Sequence, residues 1–377
     1  MSPLSWGKDS TDTLENQTMS AKSTRDTAAL KRAKQHSISR RSLLQAGIGS
    51  AGLVGAAAIS VPFNASLGAA AQEHGSHAHA PHLMPTVVGE VDHVRNEFNP
   101  TDILTDFDTG TVSKLPNGQT LREYTFAAVN KMIEVVPGLE FAAWTFNGRV
   151  PGPTIRVQQG DRVRINFVNA GDHEHSIHFH GIHPGNMDGV FDADSGVVQP
   201  GGAFTYEFDA EPFGVHLYHC HTSPLAKHIA KGLYGAFIID PKKGRPKADH
   251  EFVMVMHGFD VDFDGKNDFY AVNGIPFHYD HDKNPIRIKV GELVRIYLVN
   301  LLEFDPINSF HLHANFFHYY ATGTSLEPSE FTDTIALMQG QRGILEFRYQ
   351  YPGKYMFHAH KTEFAELGWT GVFLVEA

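Results

Sequence analysis

Cysteine is nearly absent from this 377-residue sequence, which contains only Cys220. A single cysteine cannot form an intrachain disulfide, so a disulfide-stabilised fold is excluded, and Cys220 is a buried residue, a free thiol or a metal ligand. Positive charge is also scarce. The formal net charge is −11, and because residues 1–71 contribute about +4, the rest of the chain is near −15. A body this acidic repels nucleic acid, which excludes that class of partner.

Long hydrophobic runs are missing after the N-terminal region. The one candidate is a weakly apolar, Gly/Ala-rich run over residues 43–62, which follows Arg40-Arg41 and precedes a small-residue cleavage site at residues 69–71. Residues 1–71 therefore resemble a twin-arginine export signal, which predicts a periplasmic or secreted protein. An uncleaved membrane anchor is the alternative, because the run is just long enough to cross a bilayer.

A second N-terminal segment, residues 72–95, is predicted to be a flexible leader. Four histidines lie in it among Gly, Ala and Pro: His74, His77, His79 and His82. This composition fits either weak metal binding or an unstructured spacer.

The remaining sequence repeats itself at a spacing of 131 to 139 residues. The segment that begins Gly160-Asp161-Arg162 corresponds to Gly291-Glu292-Leu293, and residues 232–239 correspond to residues 368–375. Order and spacing are kept across all the matches, which indicates duplicated domains. The repeated segments have the alternation and the Gly/Pro boundaries of short strands, so we predict an all-β protein of two β-sandwiches. The predicted domains are residues 96–243 and 244–377, divided at a basic Pro/Gly linker.

Histidine, by contrast, is abundant, with 24 residues. The informative ones form four His-x-His pairs at corresponding places in the two repeats: His178/His180, His219/His221, His311/His313 and His358/His360. Alternate side chains of a strand share one face, about 7 Å apart, so each pair can offer two imidazoles to one metal centre. Imidazole suits copper, zinc, iron or nickel, and the pairs alone do not choose among them.

The choice of metal comes from Cys220, which stands between His219 and His221. The two-residue period of a strand turns the thiolate to one face and both imidazoles to the other, so the thiolate can bind a separate metal. His175 lies upstream and His228 downstream. Two histidines and a thiolate form the trigonal ligand set of a blue-copper electron-transfer site.

These motifs, over roughly residues 120–377, resemble those of a multicopper oxidase of the two-domain kind, related to small laccases and copper nitrite reductases. The resemblance implies two cupredoxin-like Greek-key β-sandwiches and about four copper ions per chain. It implies a type 1 (blue) copper at His175, Cys220 and His228. It implies a type 2 copper at His178 and His311. It implies a binuclear type 3 site at His180, His219, His221, His313, His358 and His360.

The second repeat departs from the first where the blue copper would lie. Asn308 stands in place of His175, Ala359 in place of Cys220 and Trp369 in place of Leu233, so the second domain is expected to contribute cluster ligands only. Leu233 occupies the axial position where a methionine would ligate, which predicts a three-coordinate copper of raised potential.

One further residue has a predicted catalytic role. Asp188, in Asn186-Met187-Asp188-Gly189, lies where the family often has an acid that delivers protons to the cluster. Such a general acid needs burial or a partner to tune it. A turn aspartate before glycine is the alternative.

The resemblance implies an oxidase that takes electrons from a small donor and reduces dioxygen to water. The alternatives are a copper nitrite reductase, and a non-enzymatic copper storage or electron-transfer protein. The reductase family has an acid where this chain has His178, and its single catalytic copper needs fewer histidines. Each domain supplies only two pairs, so we expect a homotrimer whose clusters lie between subunits. The nine methionines form no run, which argues against a dedicated cuprous-ion oxidase.

Overall fold

The computed structural model describes residues 89–190, 196–280 and 282–377. The predicted export signal and the four histidines of the predicted leader lie outside these residues. Among the described helices, none has the length and apolar character needed to cross a membrane.

The prediction of an all-β protein is confirmed, because the described helices are all short. They are α1 (His93–Asn96), α2 (Pro100–Ile103), α3 (Leu225–Ala230) and α4 (Thr362–Glu366), with a 3-10 turn at Gly185–Met187. Helix α1 begins just before the predicted start of the first domain, and its buried Asn96 exchanges hydrogen bonds with the backbone of Glu134.

The first domain consists of two sheets. One has the order β1-β5-β10-β9-β7, from strands β1 (Phe107–Asp108), β5 (Thr154–Gln158), β7 (His178–Phe179), β9 (Gly214–His219) and β10 (Tyr234–Asp240). The other has the order β2-β3-β6-β8 with β4 paired to β3, from β2 (Thr111–Lys114), β3 (Thr120–Val136), β4 (Leu139–Phe146), β6 (Arg162–Asn169) and β8 (Ala203–Asp209).

The second domain repeats this plan. One sheet has the order β12-β11-β14-β19-β16-β17, from β11 (His250–Phe259), β12 (Phe269–Val272), β14 (Val294–Asn300), β16 (Phe317–Ala321), β17 (Glu330–Thr332) and β19 (Arg342–Phe347). The other has the order β13-β21-β20-β15-β18, from β13 (Ile286–Lys289), β15 (Ile307–Leu312), β18 (Thr334–Met338), β20 (Gly353–His358) and β21 (Thr370–Glu376).

Alternating apolar residues close each sandwich. In β6, Val163, Ile165 and Phe167 are fully buried while the residues between them are partly exposed. Together with side chains of the facing sheet, such as Phe179 and Phe237, they form the core of the first domain. An equivalent core closes the second domain. The two-residue period read from the sequence is thus the period that the packing uses.

A third buried cluster joins the two domains. It combines Val215 and Leu217 of β9 with Val253 and Val255 of β11 and Ile344 of β19. Buried apolar contacts of this kind are the main favourable contribution to association, so they hold the two sandwiches in one arrangement.

Charged side chains also cross the same junction. Arg156 of the first domain pairs with Asp240 at 2.7 Å and with Glu251 of the second domain at 3.1 Å. Glu251 also lies 3.1 Å from Arg295, whose other partner is Glu346 at 2.6 Å. Because each charge of this network has a partner, the attraction between them offsets the cost of removing them from water.

Candidate metal centres

The first domain brings His175, Cys220 and His228 together in its interior. Cys220 directly follows β9, His228 lies on α3, and His175 lies in the loop before β7. Cys220 Sγ is 3.2 Å from His228 Nδ1 and 3.8 Å from His175 Nδ1, and these nitrogens are 3.2 Å apart. All three residues are at most 1% exposed. The ligand atoms predicted for the blue copper therefore meet at one buried point.

Two polar groups surround the sulfur. The Ser176 N–H donates to Cys220 Sγ at 3.3 Å, and the Thr222 hydroxyl lies 3.2 Å from it. Burial raises the pKa of the Cys220 thiol, and these hydrogen bonds oppose that shift. Donors aimed at the sulfur stabilise the thiolate, which is the form that binds metal. The predicted axial residue, Leu233, is fully buried, and its carbonyl accepts the Cys220 N–H at 2.9 Å.

The donor set fits a copper ion. Burial lowers the pKa of His175 to about 4 and that of His228 to about 3, so both imidazoles are neutral and able to ligate at neutral pH. A soft thiolate with two imidazoles is the ligand set that selects copper in electron-transfer sites.

The four other histidines of the first domain form a group that we call the first tetrad: His178, His180, His219 and His221. It follows from strand register, because β7 pairs antiparallel to β9 with His178 opposite His219. Neighbouring rings are 4.9 to 5.6 Å apart between centroids, and His180 Nε2 is 2.9 Å from His219 Nε2. Burial lowers the pKa values of His180 and His219 to about 3, which keeps both rings neutral.

Backbone and carboxylate groups orient this tetrad. His178 Nδ1 lies 3.0 Å from the Asp188 carbonyl and 2.8 Å from its Oδ1, and His219 Nδ1 lies 2.9 Å from the Cys220 carbonyl. Such contacts fix the tautomer and leave Nε2 for a metal. Asp188 thus contacts a predicted cluster ligand. His183, a residue that the sequence motifs did not single out, lies 3.4 Å from the same carboxylate oxygen.

The second tetrad, His311, His313, His358 and His360, has the same geometry. His311 lies opposite His358 in the β15–β20 pair, and the corresponding ring centroids are 4.9 to 6.0 Å apart. His313 Nε2 is again 2.9 Å from His358 Nε2. Main-chain carbonyls again lie beside the Nδ1 atoms. The Asp333 carbonyl is 3.0 Å from His311 Nδ1, and the Ala359 carbonyl is 2.7 Å from His358 Nδ1. The Thr334 hydroxyl, 2.8 Å from His311 Nδ1, takes the place of the Asp188 carboxylate.

The second domain has no metal-ligand set at the position that corresponds to the blue site. Asn308 and Ala359 stand there, as the sequence indicated, and the Trp369 indole donates to Asn308 Oδ1 at 3.1 Å. The fourth replacement, Phe364 for His228, was not found from the sequence. It shows in the backbone, because the Phe364 carbonyl accepts from Trp369 N as the His228 carbonyl accepts from Leu233 N.

Within one chain the eight paired histidines form two groups of four and not one group of eight. Among the described residues, no ring of one tetrad contacts a ring of the other, and the groups able to hold a metal are separate. The pocket over the first tetrad is lined on its other sides by Leu225 and Ile229 and by Leu301, Gln339 and Gly340 of the second domain.

Comparisons with known proteins agree with this geometry. Residues 128–244 and 251–377 each match a family model described as multicopper oxidase. The chain belongs to the multicopper oxidase family. Membership of this family supports copper as the metal for these histidine and cysteine groups.

Solved and curated members of this and related groups resemble the chain. A crystal structure of a multicopper oxidase is 61% identical, with a TM-score of 0.74, and the match covers 76% of this chain and all of that one. A copper-containing nitrite reductase from Neisseria meningitidis is 32% identical over 62% of this chain and 63% of its own length. A laccase from Aspergillus fumigatus is 38% identical over 29% of this chain and 18% of its own. The chain spans less than two thirds of the length of the curated relatives it matches.

Proposed function

We propose that this multicopper oxidase is laccase-like: it takes single electrons from a small donor at a blue copper and reduces dioxygen to water at a trinuclear copper cluster. The observation that supports this proposal most strongly is the presence of two complete histidine tetrads of matching geometry beside one buried Cys-His₂ site. Eight imidazoles exceed what a single catalytic copper requires and suit a cluster of three.

The chain's own residues supply the positions that this chemistry needs. Bound copper would supply one-electron redox chemistry, and four ions per chain would match the four electrons that convert dioxygen to two waters. His175, Cys220 and His228 would hold the blue copper. His178 and His311 would hold the type 2 copper, and the other six tetrad histidines the type 3 pair. Because Cys220 is covalently flanked by His219 and His221, two short routes join the sulfur to the first tetrad.

Asp188 is the residue placed to handle protons. Its carboxylate lies 2.8 Å from His178 Nδ1 and 3.4 Å from His183 Nε2, and the side chain is about one third exposed. A carboxylate at the edge of the tetrad, in contact with water, can hold a proton near the place where oxygen is reduced. This is the role that we propose for it.

A complete cluster requires the first tetrad of one chain to meet the second tetrad of another. The sheet face that carries the second tetrad also exposes apolar side chains: Ile307 is 54% exposed and Met338, opposite it in the β15–β18 pair, 59%. Exposed apolar groups around the tetrad favour contact with a partner. A head-to-tail contact closed by threefold rotation forms the homotrimer that we propose.

Nitrite reduction is a second candidate, favoured by the identity to the Neisseria nitrite reductase and by the shared plan of two domains. Copper content and products separate the two. We expect about four copper ions per chain, oxygen uptake with an electron donor, and water as product. Two copper ions per chain with nitric oxide from nitrite would replace the oxidase by the reductase, and variable copper without turnover would indicate storage.

Subunit complementation tests the shared cluster. His180→Gln damages the first tetrad and His313→Gln the second, so each variant alone should be inactive. In trimers assembled from equal amounts of both chains, roughly one interface in four combines two intact tetrads, and we expect that fraction of activity to return. A cluster formed within one chain would give no recovery. Mixing each variant with itself is the control.

Export by residues 1–71 also remains a proposal. Replacing Arg40 and Arg41 together by lysine should retain the protein in the cytoplasm, because twin-arginine signals are read at that pair. Unchanged export of the double variant would exclude this route.

A further inference from the structure

Lys231 places a buried positive charge beside the blue site. Lys231 is 8% exposed, and its Nζ donates a hydrogen bond to the Ala142 carbonyl at 2.5 Å. Among the ion pairs of the described residues, none includes this ammonium group. Burial lowers the pKa of Lys231, Lys227 lowers it further, and Asp172 opposes both. A buried cation without a carboxylate is costly and calls for an explanation.

Three aromatic rings surround the ammonium group. Lys231 Nζ lies 4.2 Å from the ring centroid of Phe263, 5.2 Å from that of Trp144 and 5.7 Å from that of Phe141. The negative face of an aromatic ring attracts a cation, and more strongly when water is excluded. The rings thus stabilise the charged form of Lys231 at a position where, among the described residues, no carboxylate forms an ion pair with it.

The ring nearest to the ammonium group comes from the other domain. Phe263 belongs to the loop between β11 and β12, and its φ is 59°, in the left-handed region that a bulky residue rarely adopts. The residue is 53% exposed although it covers Lys231. The left-handed backbone of a bulky residue costs stability, so the contact that it creates points to a functional role.

Trp144 connects this cation to the copper ligands. Its ring centroid is 4.7 Å from that of His228, 5.2 Å from that of His175 and 5.2 Å from Lys231 Nζ. A second lysine gives a natural comparison: Lys227 Nζ is also 5.2 Å from the Trp144 centroid, but this residue is exposed.

We propose that Lys231 is a tuning charge that raises the reduction potential of the metal held by His175, Cys220 and His228. Oxidation of that site adds one positive charge, which a nearby cation disfavours, and the interaction is stronger in a desolvated region than in water. Lys227 acts weakly because solvent and salt screen it. This inference rests on the blue-copper part of the proposed function and not on dioxygen as acceptor.

The test is a redox titration of the copper-loaded full chain, without oxygen, followed by the blue absorbance. Lys231→Gln should shift the equilibrium with a reference donor about tenfold toward the oxidised site, which is roughly 59 mV for one electron. Lys227→Gln removes the same charge at the same ring distance and should shift it less than about twofold. Lys231→Arg should keep the wild-type potential. Raising the salt concentration should shrink the Lys227→Gln effect and leave the Lys231→Gln effect.

Two further variants guard against a structural explanation. Lys231→Met keeps the apolar contacts but removes the charge, so the reduction potential should fall as far as in Lys231→Gln. Phe263→Leu lets water reach the ammonium group, so the potential should fall only in part. An unchanged potential in Lys231→Gln or Lys231→Met, with the blue band intact, would overturn the proposal, as would a fall in Lys231→Arg. Absence of any blue band in the unmodified protein would instead refute the blue-copper assignment.

Discussion

The two domains present the same backbone corner with opposite chemistry. In the first domain, the ligand atoms of His175, Cys220 and His228 meet beside Leu233. In the second domain, the equivalent positions hold Asn308, Ala359, Phe364 and Trp369. The hydrogen bond from Cys220 N to the Leu233 carbonyl, 2.9 Å, has its counterpart from Ala359 N to the Trp369 carbonyl, 3.2 Å. We therefore expect these four side chains, on a similar backbone, to determine whether the corner binds a metal.

The difference also separates the roles that we propose for the two domains. In the proposed function electrons enter at the site with a thiolate and two imidazoles, which lies in the first domain, whereas both domains have a histidine tetrad. At the corresponding corner of the second domain, Trp369 is fully buried and packs against Phe310 and Phe357. Burial of such large aromatic side chains stabilises a core substantially, so the second domain gains stability where the first domain holds a reactive site.

The largest expected effect comes from removing the one sulfur. Cys220→Ser should abolish the blue absorbance and lower turnover at least about 1000-fold, because the hydroxyl does not replace a thiolate as a copper ligand. Copper bound to the histidine tetrads should remain. Absorption spectra, copper analysis and oxygen uptake measure these outcomes. Ala359→Ser, at the matching position of the second domain, is the control and should leave all three unchanged; normal turnover in Cys220→Ser would refute the electron-entry assignment.

The two tetrads differ in the group that contacts their first histidine, and this predicts unequal effects. Asp188→Asn should lower turnover roughly 10- to 100-fold and change its pH profile, because the amide keeps a hydrogen bond but cannot exchange a proton. Thr334→Val removes the hydroxyl beside His311 but keeps the Asp333 carbonyl, so a loss below about tenfold is expected. Steady-state oxygen uptake across pH measures both. Equal losses with unchanged pH profiles would reduce Asp188 to an orienting role.

Placing the four side chains of the first-domain corner at the equivalent positions of the second domain tests the comparison directly. The combined variant Asn308→His, Ala359→Cys, Phe364→His and Trp369→Leu restores the trigonal donor set on the retained backbone, so the blue absorbance per chain should about double. Absorption and copper analysis of the purified chain check this. Ala359→Cys alone should give no second blue band. A folded quadruple variant with no added copper would show that more than these four side chains separates the two corners.

Acid should destabilise the copper-free protein. Burial holds the pKa of His175 at about 4 and those of His219 and His228 at about 3, whereas an unfolded histidine titrates near 6.5. Because the unfolded chain binds more protons below pH 6.5, stability is full above that pH and falls as the pH drops toward 4. Between pH 7 and 5 the copper-free protein should lose about 1–2 kcal/mol for each of these histidines.

Urea unfolding at the two pH values measures this loss. His228→Phe, which copies Phe364, removes one of the titrating groups and should make the dependence shallower. A stability that does not change between pH 7 and 5 would contradict the depressed pKa values.

Local rules were enough to predict the all-β fold and which histidines lie near one another. Alternation along strands predicted that Cys220 would turn away from His219 and His221, and Gly- and Pro-bounded repeats predicted paired sandwiches. Phe364 was missed because His228 lies eight residues after Cys220 whereas Phe364 lies five after Ala359. Counting backwards would have found it, since each residue precedes by four the glycine that ends its helical loop, Gly232 or Gly368.

Contacts between distant elements could not be predicted from one sequence. Nothing in the spacing of Trp144, Lys231 and Phe263 indicates that they meet, because their contacts depend on how α3, β4 and a loop of the other domain pack. The same is true of His183 beside Asp188. Tertiary packing, and not periodicity, determines such neighbours.

The shared core of Val215, Leu217, Val253 and Val255 has a consequence for how copper is taken up. This core resists the domain opening that would bring both tetrads of one chain together. A cluster completed by neighbouring chains would make copper binding and subunit association thermodynamically linked. If copper binding raises the affinity between chains by some factor, association of the chains raises the affinity for copper by the same factor. Dilution would then release cluster metal while the blue centre, complete within one domain, keeps its own.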